Sequence, residues 1–162
     1  MRKEFNYKSD SCALGVIRLD YNYDPAPGDI DCPDTFGYKV FYHSVPGYTF
    51  ENCQDNIVDA KMNKNFDAAI QHLVVNKKVK GITGDCGFMM YIQDKIRNHP
   101  DTQVPVFMSA LAQLPAIRCA YGPDEIIAIL TANSATLKPM QKLINKECAV
   151  DVTDDRFIIV GA

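Results

Sequence analysis

The stretch Val79-Lys80-Gly81-Ile82-Thr83-Gly84-Asp85-Cys86-Gly87-Phe88-Met89-Met90 passes from a short β-branched run, through a turn bounded by two glycines, into an apolar segment. Val79 to Thr83 reads as a strand and Gly84 to Gly87 as a turn. Phe88 to Asn98 reads as a helix stopped before Pro100. A strand that gives way directly to a helix is the unit from which parallel sheets are built, because parallel neighbours need a crossover between them. The segments on either side repeat the pattern. Upstream, Leu14 to Leu19 is a strand, Asp24 to Pro33 a long Pro/Gly-rich loop, and Tyr38 to Val45 a second strand closed by Pro46-Gly47. From Asp55 to Asn76, Ile57, Ala60, Met62, Phe66, Ala69, Ile70 and Leu73 recur at helical spacing, with a break expected near Asn63. Downstream, Val104 to Met108 is a strand and Ser109 to Ile117 a short helix. Glu125 to Leu130 is a strand, Ser134 to Lys146 a helix with Pro139 in its first turns, and Arg156 to Val160 a last strand. The expected fold is α/β, a parallel sheet flanked by helices on both faces.

Composition bounds the function. The 162 residues carry 17 Lys plus Arg against 20 Asp plus Glu, a net charge of -3, and are 47% hydrophobic. This suits one full core and the start of a second. Basic residues are scattered, with no stripe for nucleic acid or anionic lipid. No apolar run approaches the roughly 18 residues of a membrane span, and Met1 to Asp10 is polar, unlike the apolar region of a signal peptide. The expectation is a soluble intracellular protein, cytoplasmic by default, with neither nucleic acid nor membrane as partner. The six cysteines, at 12, 32, 53, 86, 119 and 148, form no CxxC pair. They read as free thiols of a reducing compartment, mostly small buried hydrophobes.

In parallel α/β sheets ligands bind outside the carboxyl ends of the strands, so the strand-end loops take priority. Cys86 sits in one of them, at the end of a strand and the start of a helix, where the field of a helix N-terminus favours the thiolate. Gly84 and Gly87 let backbone approach a ligand and leave N–H groups for an anion. A thiolate beside an oxyanion site is suited to taking a proton from carbon next to a carboxylate; a structural cysteine in a tight turn fits the same spacing. Asp85 is expected to cap the helix. Ser109, Thr131, Asn133 and Ser134 lie just beyond strands, placed to hydrogen-bond a small carboxylate, with Ser134 as helix N-cap. Arg18 would pair a substrate carboxylate, and Tyr21 and Tyr23 offer faces for a cation, although a loop start of this kind is also ordinary surface. His43, His72 and His99 pair with no nucleophile by position. His72 is expected to be solvated.

Two stretches carry a family resemblance: Gly81-Ile82-Thr83-Gly84-Asp85-Cys86-Gly87-Phe88-Met89-Met90 and Leu14-Gly15-Val16-Ile17-Arg18-Leu19-Asp20-Tyr21. Pro105 to Ser109, Leu111 to Pro115 and Ala128 to Ser134 extend it. The chain resembles the aspartate/glutamate racemase superfamily and within it the algal Alma-type dimethylsulfoniopropionate (DMSP) lyases. The resemblance implies two similar α/β domains facing each other, each giving a cysteine to a small carboxylate substrate, with no metal or organic cofactor. It makes Cys86 the first-domain cysteine, places Thr83, Gly84 and Gly87 around it, and makes Thr131 to Ser134 the opening loop of the second domain. The first domain would span 1–122. Residues 123–162 would begin a second, incomplete one, so the chain reads as a fragment or as a short paralogue, with a homo-oligomer or a separate second half to cover the last strand.

The implied activity is cleavage of DMSP to dimethyl sulfide and acrylate. The alternatives are an amino-acid racemase or isomerase, and a half-length binding module without turnover. Racemisation needs groups on both faces of the substrate, whereas elimination of a neutral sulfide needs in principle one base.

Overall fold

The computed structural model describes residues 12–161; residues 1–11 and 162, and with them the polar segment Met1 to Asp10, lie outside the described residues. Strands β1 (Ala13–Arg18), β2 (Lys39–Ser44), β3 (Gly81–Gly84) and β4 (Val106–Phe107) form a parallel sheet in the order β2-β1-β3-β4. Strands β5 (Ile127–Thr131) and β6 (Phe157–Gly161) form a separate two-stranded parallel sheet. Helices α1 (Phe50–Gln54), α2 (Ala60–Ile70), α3 (Gln93–Arg97), α4 (Leu114–Ala120), α5 (Ser134–Leu137) and α6 (Gln141–Cys148) flank them. The expected α/β class with a parallel sheet is what the chain forms.

Register brings the functional edge together. Ile17 stands opposite both His43 and Gly84, and Thr83 opposite Phe107, so Arg18, Ser44, Gly84 and Phe107 end at one rim. Because side chains alternate along a strand, Gly15, Ile17, Ile82 and Gly84 share one face. That face receives the helical layer: a Cβ on Gly15 would lie 3.2 Å from Leu73, and one on Gly84 would lie 2.5 Å from the Met89 sulfur and 2.7 Å from the Met108 carbonyl. Only glycine permits that approach at Gly84. The opposite face carries Arg18 and Tyr42 and is tied to the β1–β2 connection, which holds a single 3-10 turn (Pro33–Thr35) in place of a helix. Arg18 Nε lies 3.1 Å from Asp31, the Tyr42 hydroxyl donates to the Ile30 carbonyl at 3.1 Å, and the Tyr23 hydroxyl donates to Asp29 and Asp31. The expectation of helices on both faces thus gives way here to a loop pinned by buried polar groups.

Several helix boundaries differ from the sequence reading. The break expected near Asn63 is absent, because Asp59 caps α2 by accepting from the Met62 amide at 2.7 Å and the helix runs straight through Asn63. Asp55 to Asp59 is not helical: Asn56, at φ 55°, turns the chain between α1 and α2. The helix then continues into a π turn, Gln71–Asn76, closed by the Lys77 amide on the His72 carbonyl. The helix expected from Phe88 opens instead as a 3-10 turn (Gly87–Ile92) before α3. Phe88, Met89, Met90 and Ile92 are all buried, so the segment lacks the polar face of an amphipathic helix. The Ser134 to Lys146 helix is divided into α5, a 3-10 turn (Lys138–Met140) and α6, since Pro139 supplies no amide for a continuous ladder.

The two sheets are joined through helices. α6 meets α3 through Arg97 with Glu147 at 2.8 Å and Lys146 with Asp94 at 2.6 Å, and the Thr136 hydroxyl donates to Gln54. Beneath these surface pairs, Leu137, Met140 and Ile144 belong to the same buried core as Phe66, Ile70 and Leu73. Edge strand β4 is only two residues long, and the buried Gln93 amide supports it by donating to the Val106 carbonyl at 2.7 Å and accepting from the Met108 amide at 2.8 Å. No helix among the described residues is long and apolar enough to cross a membrane.

Candidate active site

Cys86 is the residue before the 3-10 turn, with extended backbone (φ -131°, ψ 137°), and is half-buried. The short β3 delivers it to the rim, and Gly84 and Gly87 hold the turn close to Met108 and Ser109. Two clefts meet at this point. An apolar one of about 300 Å³ is lined by Phe50, Cys86, Gly87, Phe88, Leu111, Leu114, Ile129, Thr131 and Leu137, among others, and so lies between the two sheets. A second, of about 490 Å³, is lined by Ile30, Thr83, Gly84, Asp85, Cys86, Gly87, Phe107, Ser109 and Gln113, among others. Cys86, Gly87 and Ala110 belong to both.

The electrostatics favour a thiolate. The neighbouring Cys53 thiol is the largest influence and draws the Cys86 thiol below its ordinary value, aided by the nearby Phe88 and Met89 backbone and opposed by burial and by Asp85. Cys53 comes from α1 and is fully buried; it moves the other way, raised by the neighbouring Cys86 and by burial. Behind it the Tyr48 hydroxyl is buried without a hydrogen-bond partner, and burial together with the neighbouring Cys53 raises it. Tyr48 is fixed edge-on against Phe66, ring centres 4.9 Å apart.

Asp85 does not cap the following turn, contrary to expectation. Its Oδ2 turns back to accept from the Leu19 amide at 2.9 Å, while Oδ1 is buried without a hydrogen bond. Burial pushes its carboxyl up to about 7, against the pull of the Leu19 amide. The next turn is capped by no side chain, and its Met89 amide donates to the Cys86 backbone carbonyl at 3.0 Å.

The other sequence-derived candidates divide into three groups. Thr131 lines the apolar cleft, and Thr83, Gly84 and Ser109 line the second. Two of these hydroxyls are engaged: Thr83 donates to the Phe107 carbonyl at 2.7 Å, and Ser109 donates to the Gly87 carbonyl at 2.6 Å while accepting from the Leu111 amide. Asn133, not Ser134, is the N-cap of α5, its Oδ1 accepting from the Ala135 and Thr136 amides; Ser134 is the first helical residue and packs against Gly161. Arg18 is turned to Asp31. Tyr21 is 61% exposed and leans on Tyr23, lining a separate cleft with Asp20, Thr49, Phe50 and Glu51. Asn133, Ser134, Arg18 and Tyr21 line neither Cys86 cleft. His72, expected to be solvated, is half-buried, its ring 5.1 Å from that of His43.

Sequence reading missed Cys53 and Tyr48. The available signal was the N-cap pattern Thr49-Phe50-Glu51-Asn52, whose Thr49 hydroxyl accepts from the Asn52 amide; it marks α1, which aims Cys53 inward. Among the described residues no three His, Cys, Asp or Glu side chains converge as a metal site would require.

Comparison with known proteins yields sequence relatives only. No family model matches the chain, and no solved structure matches it. It is 55% identical over 153 residues to dimethylsulfoniopropionate lyase 6 of Emiliania huxleyi (strain CCMP1516), a stretch covering 94% of this chain and 39% of that protein. To dimethylsulfoniopropionate lyase 7 of the same organism it is 54% identical over 149 residues, 92% of this chain and 43% of the relative. To the dimethylsulfoniopropionate lyase of Durusdinium sp. clade D it is 45% identical over 159 residues, 98% of this chain and 52% of that protein. The chain thus spans about half or less of the length of these relatives. Over nearly all of its own length, the chain is a homologue of the algal dimethylsulfoniopropionate lyases.

Proposed function

We propose that this chain carries the first half of a cofactor-independent carbon–sulfur lyase site, in which Cys86 is the base that starts cleavage of DMSP. The observation that carries this reading is the half-buried Cys86, held toward the thiolate at the one point shared by two clefts. The Cys86 thiolate takes the proton from the carbon next to the substrate carboxylate. The electron pair left behind becomes the carbon–carbon double bond, the bond from the β-carbon to sulfur breaks, and neutral dimethyl sulfide departs, leaving acrylate. The apolar cleft, walled by Phe50 and Phe88, takes the dimethylsulfonium group, which has no hydrogen-bond donor and suits aromatic faces. Gly87 and Thr131 contact substrate. Thr83 and Ser109 act by fixing the Phe107 and Gly87 carbonyls, and Gly84 acts by its close approach to Met108. Arg18, Tyr21, Asn133 and Ser134 serve the surrounding scaffold.

Elimination is put ahead of racemisation because Cys86 is the one thiol lining these clefts among the described residues, and racemisation needs a second group on the opposite face. We read residues 123–162 as the opening of a second α/β unit. The sheet face bearing Leu130, Ile158 and Val160 supports that reading, since these side chains are 79%, 50% and 45% exposed. A second functional reading is a half-length module that binds small carboxylates or a partner chain without turnover, and the open apolar face favours its partner-chain form.

The test is dimethyl sulfide in the headspace over purified protein given DMSP under reducing conditions, with Cys86→Ser alongside. Release that disappears in the variant supports the lyase. Release that persists in it removes Cys86 from the chemistry. Silence from a folded wild-type chain that still binds DMSP selects the binding module.

A further inference from the structure

We propose that Gln113 is the side chain that receives the substrate carboxylate, holding it in the second Cys86 cleft while the sulfonium end of the same molecule lies in the apolar one. The proposal rests on the reading of Cys86 as the base acting on DMSP, and it adds a residue that the reading itself does not use.

The substrate's own structure orients it. Its acidic α-carbon lies between the carboxylate and the β-carbon that bears the sulfonium, so a base at the α-carbon has one charged end on either side. Cys86 stands in the same relation to the two clefts, because it lines both. The apolar cleft offers one hydroxyl, that of Thr131, and suits the end that has no hydrogen-bond donor. The carboxylate then falls in the second cleft, where an anion drawn partly out of water needs donors. No Lys or Arg lines either cleft, and Arg18 is turned to Asp31. Two of the hydroxyls in the second cleft are already committed: Thr83 donates to the Phe107 carbonyl and Ser109 to the Gly87 carbonyl. Asp85 is an acceptor whose Oδ2 takes the Leu19 amide and whose Oδ1 is buried. Gln113 remains. It lines the cleft with an exposed side chain, and among the described residues no group hydrogen-bonds its amide, so Nε2 is free to donate to the carboxylate. Its backbone is fixed on both sides. Ser109 caps the 3-10 turn Ala110–Gln113 by accepting from the Leu111 amide at 3.1 Å, and Leu114, the next residue, is buried. The Ser109 bond to Gly87 ties this turn to the one that carries Cys86, which sets base and donor in one frame.

The measurement is protection of Cys86 from iodoacetamide, read by peptide mass spectrometry on folded protein in a labelling pulse too short to consume substrate. Two ligands are titrated: DMSP, and ethyldimethylsulfonium, which keeps the cation and lacks the carboxylate. Gln113 is exposed, so Gln113→Ala and Gln113→Glu should both fold as wild type does. The result expected is that Gln113→Ala raises the half-protecting concentration of DMSP about tenfold, the lower end of what a hydrogen bond to a charged group contributes, because this amide is open to water. Gln113→Glu, which sets a like charge beside the carboxylate, should raise it further. Neither variant should move the value for ethyldimethylsulfonium. An unchanged DMSP value in Gln113→Ala overturns the assignment while leaving Cys86 as the base. Equal losses for the two ligands overturn it too, because they mark a change in the shape of the site and not a lost carboxylate partner. A carboxylate-specific loss confined to Thr131→Val overturns it by placing the carboxylate in the apolar cleft. If DMSP fails to protect Cys86 in the wild-type chain, both the assignment and the reading on which it rests fall.

Discussion

The four-stranded and two-stranded sheets are built from the same kind of sequence and end in different surroundings. In the first, Val16 and Ile17 are fully buried on opposite faces of one strand, because helices cover one side and the pinned β1–β2 loop meets the other. In the second, Ile127 and Ile129 are buried, Ile129 in one core with Leu137 and Met140, while Leu130 beside them is 79% exposed. An alternating apolar run therefore specifies a strand in both places. How far that strand is buried is set by what the rest of the chain lays over it. The apolar Cys86 cleft lies at the boundary between the two regimes, with one wall from each sheet.

The largest expected effect lies under the first sheet. Phe66→Ala removes a fully buried ring in contact with Tyr48 and should cost about 3–5 kcal/mol in urea unfolding. A loss below about 1 kcal/mol would mean that this core is no better packed than the second sheet's.

The next effect depends on pH. The Asp85 carboxyl titrates at about 7 in the folded chain, against an ordinary value of 3.8. The folded state thus binds the extra proton between these values. The stabilisation from the protonated carboxyl is full below about pH 4 and is lost as pH rises toward 7. Asp85→Asn keeps an acceptor for the Leu19 amide and never ionises. Relative to wild type it should gain about 2–4 kcal/mol between pH 4 and pH 8. A difference that stays flat across that window would place Asp85 in contact with water, as the outer face of the second sheet is.

Two smaller effects concern the second sheet. Asn133→Ala deletes the side-chain cap of α5 and should cost about 1 kcal/mol by thermal or chemical unfolding. Ser134→Ala, at the position expected from sequence to be the cap, should cost less. Leu130→Ser changes an exposed side chain and should move stability by less than about 0.5 kcal/mol, with the greater gain in solubility. A large destabilisation from Leu130→Ser would show that its face is covered in solution.

Much of the fold was legible because strands and helices leave periodic marks. β1, β2, β3, β5 and β6 fall within a few residues of their expected places, and the turn around Cys86 lies where two glycines and a following apolar run put it. The misses have local causes. Asn133 and Ser134 are both good cap formers, and the extended backbone at Asn133 (φ -152°, ψ 110°) decides between them. The Phe88 segment carries too few polar residues to show its 3-10 winding. Asp85 has the residue type and position of a cap, yet the end of β1 offers it a closer donor in the Leu19 amide. The company of Cys86 was the least legible feature, because Cys53 and Tyr48 arrive through the packing of α1, a contact between segments far apart in sequence that no local pattern encodes.

The bond from the Leu19 amide to Asp85 has a consequence in time as well as in space. Leu19 lies one residue beyond β1, where an amide without a partner would trade its hydrogen with solvent almost freely. Held by a buried carboxylate on the neighbouring strand's exit, it can exchange only when the turn that carries Cys86 opens. The rate at which this single amide takes up deuterium is therefore a clock for the motion of the Cys86 turn, readable without substrate and without touching the thiol.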